Sequence, residues 1–462
     1  MSFALELARR IRALAFGELP PEAVHWAKVG ILDTVGVTLA GSREEATRAL
    51  AAVTLRGSAG GPALVFGSGM RARALDAALV NGTAAHALDY DDCNNTLGGH
   101  PSAPILPALF AAADEIGASG REFIAAYVAG FETECKLSLG LNFHQYTRGW
   151  HPTTTLGVFG CAAACAKLLG LSEERTATAL AIAASLASGI KSNFGTMVKP
   201  LHVGHCNRNG LLAALLAREG FTANPEAFEH KQGYFNVYNG AGNYDAGKIL
   251  PAWGRPFDIV EPGIAIKQYP CCGSTHPAVD AALELARAHA LDPDAIERVE
   301  IWIHARRLEH TDRPDPRSAL DAKFSVQYCV ARAIADRRLG IEHFEGRAFE
   351  EPAVRRLLGR VSAAPYTTAQ FPADNHFGAE VRIALRGGAV LCTKVEQPLG
   401  RTARNPLPPG RLREKFENCA TRVLTREQAA AVYSAIQKLE SLEDVRELTA
   451  HLARGAPRQA AA

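Results

Sequence analysis

Most of the side chains able to do chemistry in this 462-residue chain fall into five short joints. HALDYDDCNNTLGGHPSAPILPAL, residues 86–109, sets Asp89, Asp91 and Asp92 at the end of an apolar helical pattern and then His100-Pro101-Ser102. Acids there repel one another and the negative end of a helix, so keeping three of them points to use. The plain alternative is a solvated acidic loop with a capping serine. His100-Pro101-Ser102 reads as the opening of the next helix, whose free N–H groups can receive an anion or lower a histidine pKa. TRGWHPTTTLG, 147–157, places His151 before a proline and three threonines at a helix start. GIKSNFGTMVKPLHVGHCNRNG, 189–210, brings Lys199, His202 and His205 to the start of an apolar helix. IKQYPCCGSTHPAVDAALELA, 266–286, carries Lys267 and His276 at another loop-to-helix junction, and AKFSVQYCVARAI holds Tyr328 on an apolar helix after Lys323.

Together these joints supply what proton transfer on a carboxylate-rich substrate needs. Lys and His bind carboxylates, while Asp, His or Tyr moves a proton. A metal is the weaker reading. His202-x-x-His205 has near-helical spacing and the three aspartates offer oxygen ligands, but H-E-x-x-H is absent, so no metal is expected. Vicinal Cys271-Cys272 suggests a nucleophilic thiol, yet no cysteine motif accompanies the pair.

The elements that must position these groups are mostly helices. From residue 3 to about 220, apolar residues recur at three- and four-residue spacing. One helix is expected from Pro20-Pro21 to Gly41, and another after Ser172, an N-cap followed by two glutamates. No βαβ rhythm and no G-x-G-x-x-G appears, which argues against a Rossmann domain. Near residue 263 the texture changes. ERVEIWIHA (297–305) alternates like a strand, a helical segment spans about 319–337, and AEVRIALRGGAVLCTKVEQP (379–398) reads as a hairpin across Gly387-Gly388. The expected fold is mainly α: a large helical domain from residues 1–262 and 399–455, a smaller α+β domain at 263–398, and a flexible tail at 456–462.

Composition sets the outer limits. Fifty Lys and Arg against 48 Asp and Glu give a net charge of +2, which offers no electrostatic footprint for nucleic acid. No apolar run is long enough for a membrane span, and the N-terminus lacks the pattern of a signal peptide. Ten cysteines without C-x-x-C pairs read as reduced thiols, so a cytoplasmic enzyme is expected.

In these joints the chain resembles the MmgE/PrpD superfamily, which includes 2-methylcitrate dehydratase, cis-aconitate decarboxylase and iminodisuccinate epimerase. The resemblance rests on HALDYDDCNNTLGGHPSAP, WHPTTTLGVFG, KPLHVGHCNRNG with EAFEHKQGYF, KQYPCCGSTHPAVDA, KFSVQYCVA and GRTARNPLPPGRLREKFENCA, in that order between about 86 and 420. It implies a helical large domain, an α+β lid-like domain closing over it, a homodimer and no organic cofactor. Carried across by motif, it makes Asp89, His100, Lys199 and Tyr328 catalytic, and His151, Lys267, Cys272 and His276 substrate-binding. Two departures stand out. Cys272 occupies a place where decarboxylase-like members have His, and Cys93 one where they have Thr, with a gap to His100 one residue longer. The C-C-G-S-T-H string is closer to the epimerase branch.

The expected activity is therefore a cofactor-independent lyase or isomerase that moves a proton next to a carboxylate of a small di- or tricarboxylate, as an epimerase or dehydratase. A cis-aconitate-type decarboxylase is the alternative. A non-catalytic dicarboxylate-binding protein on the same fold and a metal-dependent hydrolase are the readings from other classes.

Overall fold

The computed structural model describes residues 2–57, 60–141 and 143–453. The tail expected at 456–462 lies outside the described residues. Packing divides the chain into two units, residues 1–266 with 402–462, and residues 267–401.

Unit 1 is built of helices. α1 (Pro21–Gly41) starts with proline at its first position, where a missing N–H costs nothing, and is buried from Val29 onward. α2 (Ala74–Ala87) is buried almost all round, α3 (Leu106–Ile116) ends on a left-handed Gly117, and α4 (Gly120–Leu141) packs against α5 (Gly157–Leu168). α6 (Val198–Arg218) lies along α2 and α5. Small residues bring α2 and α6 together: a methyl group on Gly204 would stand 2.3 Å from the Leu79 carbonyl oxygen, and one on Gly82 2.9 Å from Gly204 Cα. That close approach joins the end of α2, which carries His86 and Asp89, to the start of α6, which carries Lys199. The helix Pro409–Ala420 returns to unit 1, where Lys415 pairs with Asp33 of α1 at 2.6 Å and donates to the Tyr90 carbonyl. No helix among the described residues is long and apolar enough to cross a membrane.

Unit 2 holds a four-stranded sheet of β1 (Ile296–Ile303), β2 (Val361–Pro365), β3 (Ala379–Leu385) and β4 (Val390–Val395), in the order β2-β1-β3-β4. β1 and β2 run parallel and the other pairs antiparallel, with Ile301 opposite Val381 and Ala384 opposite Val390. The hairpin turns at Gly388, which takes a φ of +84°. Val299, Ile301, Val381 and Ile383 meet α7 (His276–Ala288) and α8 (Val326–Asp336) in one core. With small sheets and helices elsewhere, the fold is mainly α.

The structure corrects two local expectations. The helical segment at 319–337 is two helices, Ala319–Ala322 and α8, because Ser325 breaks the run and caps α8 by accepting the Tyr328 N–H. His100-Pro101-Ser102 opens no helix, since α3 begins at Leu106. Ser102 is instead held by the Asp92 carboxylate and by the Tyr127 hydroxyl at 2.5 Å, so no row of free helix N–H groups stands at His100.

Candidate active site

Four of the eight expected site residues converge in unit 1. α2 ends at Ala87 with Leu88 as its cap, and the chain turns sharply through Asp89, whose φ of 52° is left-handed, a conformation aspartate tolerates better than most residues. That turn presents Asp89 Oδ1 to Lys199 Nζ at 2.6 Å and leaves His100 Nε2 at 3.6 Å. Asp91, fully buried, accepts from two rings: His86 Nδ1 lies 2.8 Å and His100 Nδ1 3.0 Å from its Oδ2. The His100 loop is pinned from the other side, where its backbone N–H donates to Thr153 Oγ1. His151, the residue capping Pro152–Thr155, donates its backbone N–H to the Gly189 carbonyl. Its ring stacks edge-on to Phe194 and lies with Nδ1 3.3 Å from His202 Nδ1.

Four of these residues carry perturbed acidities. Burial by itself would push the Asp91 carboxyl up, but the two imidazoles outweigh it and hold it well below the usual carboxylate range. Burial lowers His86 to about 3 against the opposing pull of Asp91, with the Lys199 charge adding to the fall. Burial and then Lys199 lower His202 to about 4, and burial, His86 and Lys199 place His151 well below the ordinary histidine value. At neutral pH these three rings are uncharged. His100 pairs through Nδ1 with Asp91 and turns Nε2 toward Asp89 Oδ1, 3.6 Å away. An aspartate that fixes the tautomer of a histidine in this way is the arrangement of a general base.

The same cluster has the ligand set of a metal centre: His86, Asp89, Asp91 and His100 offer atoms all within 4.8 Å of one another. A cation there would meet the Lys199 ammonium already seated on Asp89. The donors fit an ion by type, and the lysine makes it an energetic competitor.

The sequence reading passed over His86, and it noted Asp91 and His202 without giving either a role in the site. His86 sits three residues before Asp89, one helical turn away, and His202 is one turn after Lys199. Those spacings were the available signal. Cys93 Sγ lies 3.9 and 4.0 Å from the two His100 ring nitrogens.

The other four residues lie in unit 2. Lys267 is buried at its start, and the Cys272 N–H donates to the Lys323 carbonyl. His276 opens α7 with Nε2 3.3 Å from the Cys271 carbonyl oxygen. Tyr328 is wholly buried in the unit's core, its hydroxyl donating to the His343 carbonyl at 2.5 Å and accepting from Arg332 Nε, and burial raises it to about 12.

Comparison with known proteins places this geometry in a family. The MmgE/PrpD N-terminal domain matches residues 5–246 and the MmgE/PrpD C-terminal domain residues 269–441. Human cis-aconitate decarboxylase is 30% identical over all of this chain and 96% of its own length. Cis-aconitate decarboxylase of Aspergillus terreus is 27% identical, covering 94% of this chain and 92% of that protein. The 2-methylcitrate dehydratase of Cupriavidus necator is 26% identical over 90% of each. With both domains matched in order across nearly the whole length, the chain belongs to the MmgE/PrpD superfamily and is an enzyme of its lyase and isomerase class.

Proposed function

We propose that the protein moves a proton at the carbon next to a carboxylate of a small di- or tricarboxylate, without an organic cofactor. The observation that carries this is the buried Lys199–Asp89 pair beside a His100 whose Nδ1 is tied to Asp91. His100 Nε2 takes the proton, and the electron pair left on carbon spreads into the neighbouring carboxylate. The Lys199 ammonium stabilises the enolate-like oxygens. Asp89 holds Lys199 in place and lies near enough to His100 to share the acid–base work. Returning the proton on the other face gives epimerisation, while loss of a β-hydroxyl with a proton gives dehydration. His151, Lys267, Cys272 and His276 are assigned to binding the substrate's carboxylates. Tyr328 is assigned to the scaffold of unit 2, because its hydroxyl proton is committed to the His343 carbonyl.

Decarboxylation is the second reading, favoured by the human and fungal relatives. In it the bond to a carboxylate breaks, carbon dioxide leaves with no proton, and His100 delivers a proton to the carbanion. Cys93 and Cys272, which differ from the decarboxylase pattern, are the residues against it. A homodimer working in the cytoplasm completes the proposal, on the strength of the family resemblance.

The test is proton NMR in D₂O of chelator-treated enzyme with citrate, 2-methylcitrate, cis-aconitate and iminodisuccinate in turn. Deuterium entering next to a carboxylate, a new alkene or a new stereoisomer supports the main reading, and carbon dioxide release supports the second. Exchange that appears only when a divalent ion is added would move the assignment to a metal enzyme. Binding without any exchange would leave a dicarboxylate-binding protein.

A further inference from the structure

Two neighbouring aspartates hold the two ends of one tripeptide. Asp91 meets the His100 ring at Nδ1, 3.0 Å away, and Asp92 takes Ser102, two residues further on. The Ser102 N–H donates to Asp92 Oδ1 at 3.3 Å, and its Oγ donates to Asp92 Oδ2. The same hydroxyl meets the Tyr127 hydroxyl at 2.5 Å, so a chain of hydrogen bonds runs from the 89–92 turn through the His100 loop to α4. Asp92, Ser102 and Tyr127 are all fully buried. α1 leaves room for them: a methyl group on Gly30 would stand 2.5 Å from the Tyr127 hydroxyl and 3.2 Å from Ser102 Oγ.

Proton transfer by His100 makes no direct use of these three side chains. A buried carboxyl, hydroxyl and phenol cost stability unless they are hydrogen-bonded, and apolar side chains of the same volume would fill the space without that cost. What the polar chain adds is direction. Hydrogen bonds hold Ser102 along set lines, where apolar contact would let it slide. Pro101, whose ring locks its φ, carries that anchor back to His100 as a short stiff arm. On the other side His100 donates its own N–H to Thr153 Oγ1, and the Gly99 carbonyl accepts from the Asn94 N–H. The histidine is thus held from before and after, and a base misplaced by about 1 Å costs about a hundredfold in rate.

We propose that Asp92, Ser102 and Tyr127 are positioning residues for His100, a buried chain that sets where its ring stands for the proton transfer. This rests on the reading of His100 as the proton-moving group and deepens it.

The test pairs a readout of the ring with turnover, both in the full chain. Histidine ring signals are read by ¹⁵N NMR without substrate, and those of His100 are identified by their loss in His100→Gln. Turnover of citrate, 2-methylcitrate, cis-aconitate and iminodisuccinate gives kcat and KM, and melting curves check that each variant folds. Tyr127→Phe and Ser102→Ala should shift or broaden the His100 signals and lower kcat by at least about tenfold, with KM within about twofold of wild type. Gly30→Ala removes no polar group but pushes on both hydroxyls, and it should act in the same direction. Thr449→Val breaks a buried hydrogen bond to Asp114 and none in this chain, so it should lower the melting temperature and leave the His100 signals and kcat as they are. Tyr127→Phe and Ser102→Ala variants that keep the wild-type His100 signals and a kcat within twofold of wild type overturn the positioning, even where they melt earlier. Wild-type protein that turns over none of the four acids overturns the proposed function, while the ring signals still decide the positioning.

Discussion

Lys199 and Asp89 give the sharpest test of the site, because their pairing acts on stability and on chemistry in separable ways. At 2.6 Å and an effective dielectric of about 20, two unit charges attract by about 6 kcal/mol, and both side chains are nearly buried. Replacing Lys199 by Met removes that attraction and leaves Asp89 with His100 Nε2 3.6 Å away. Breaking one side of a buried pair costs about 3–5 kcal/mol, since the remaining charge stays desolvated. Changing Asp89 to Asn in the same chain removes that charge, so the double variant should recover most of the loss. A double-mutant cycle should then give a coupling of at least about 2 kcal/mol.

Catalysis should not recover with stability. The ammonium is assigned to the substrate's carboxylate and the developing enolate, a buried charge contact worth about 2–5 kcal/mol, which is roughly 30- to several-thousand-fold in kcat/KM. Lys199→Met and the double variant should both show this loss. Stability is read from tryptophan fluorescence in a urea titration, where Trp26, Trp150 and Trp253 report on unit 1, and activity from deuterium exchange by NMR. Turnover of Lys199→Met within threefold of wild type would refute the assignment of the lysine. A cycle coupling below about 0.5 kcal/mol would refute the claim that the pair is desolvated.

Three further outcomes follow from named contacts. Asp91→Asn should cut deuterium exchange by a hundredfold or more, because His86 and His100 both lose the acceptor that fixes their tautomers; unchanged exchange removes His100 as the base. Tyr328→Phe should leave turnover within about threefold and lower stability by about 1–2 kcal/mol, through the lost hydrogen bonds to the His343 carbonyl and Arg332. A large fall in turnover at unchanged KM would return Tyr328 to the acid–base set. Glu134, fully buried with neither carboxylate oxygen hydrogen-bonded, is held well above its ordinary 4.5 by burial and by Asp92. Above pH 4.5 the unfolded chain ionises there while the folded chain keeps the proton, so this residue costs stability as pH rises. The stability of Glu134→Gln relative to wild type should therefore climb between pH 5 and 8, by up to about 1.4 kcal/mol per unit, and a flat difference would sink the idea of a neutral buried carboxyl.

What the sequence made legible was periodic, and what it hid was three-dimensional. The helix from Pro21 to Gly41, the Ser172 cap, the strand at 296–303 and the hairpin through Gly388 all rest on local signals: a proline that fits a first turn, a hydroxyl before acids, alternation, and a glycine pair. Asp89, His100, His151 and Lys199 were visible because each sits at a joint punctuated by glycine or proline, where an apolar pattern has no structural use for charge. His86 was passed over because it lies inside the apolar face of α2, where a histidine looks like core. Its function as an Asp91 partner depends on a turn that the left-handed Asp89 creates. Tyr328 lies on a helix as apolar as it looked, and its hydroxyl donates to the His343 carbonyl, a partner 15 residues away that no local pattern reveals. Ser102 was read as a cap from its neighbours, whereas its partners, Asp92 and Tyr127, lie 10 and 25 residues away.

The burial of so many titratable groups around one ammonium has a single physical reading. Desolvation holds His86, His151 and His202 uncharged, and the Lys199 charge adds to that effect on all three. Asp91 stays ionised because two ring N–H groups solvate it in place of water. Within this group Lys199 lies 2.6 Å from the Asp89 carboxylate, which holds it in position. A substrate carboxylate entering there meets a fixed cation, in surroundings too poorly hydrated to screen it. Proton removal next to that carboxylate then places new negative charge where the cation already stands. An ammonium whose counter-ion is a flexible surface acid gains nothing of this kind, because water does the same work in both states. The left-handed Asp89 turn and the Gly82–Gly204 contact, which look like minor features of helix packing, are what bring the pair together.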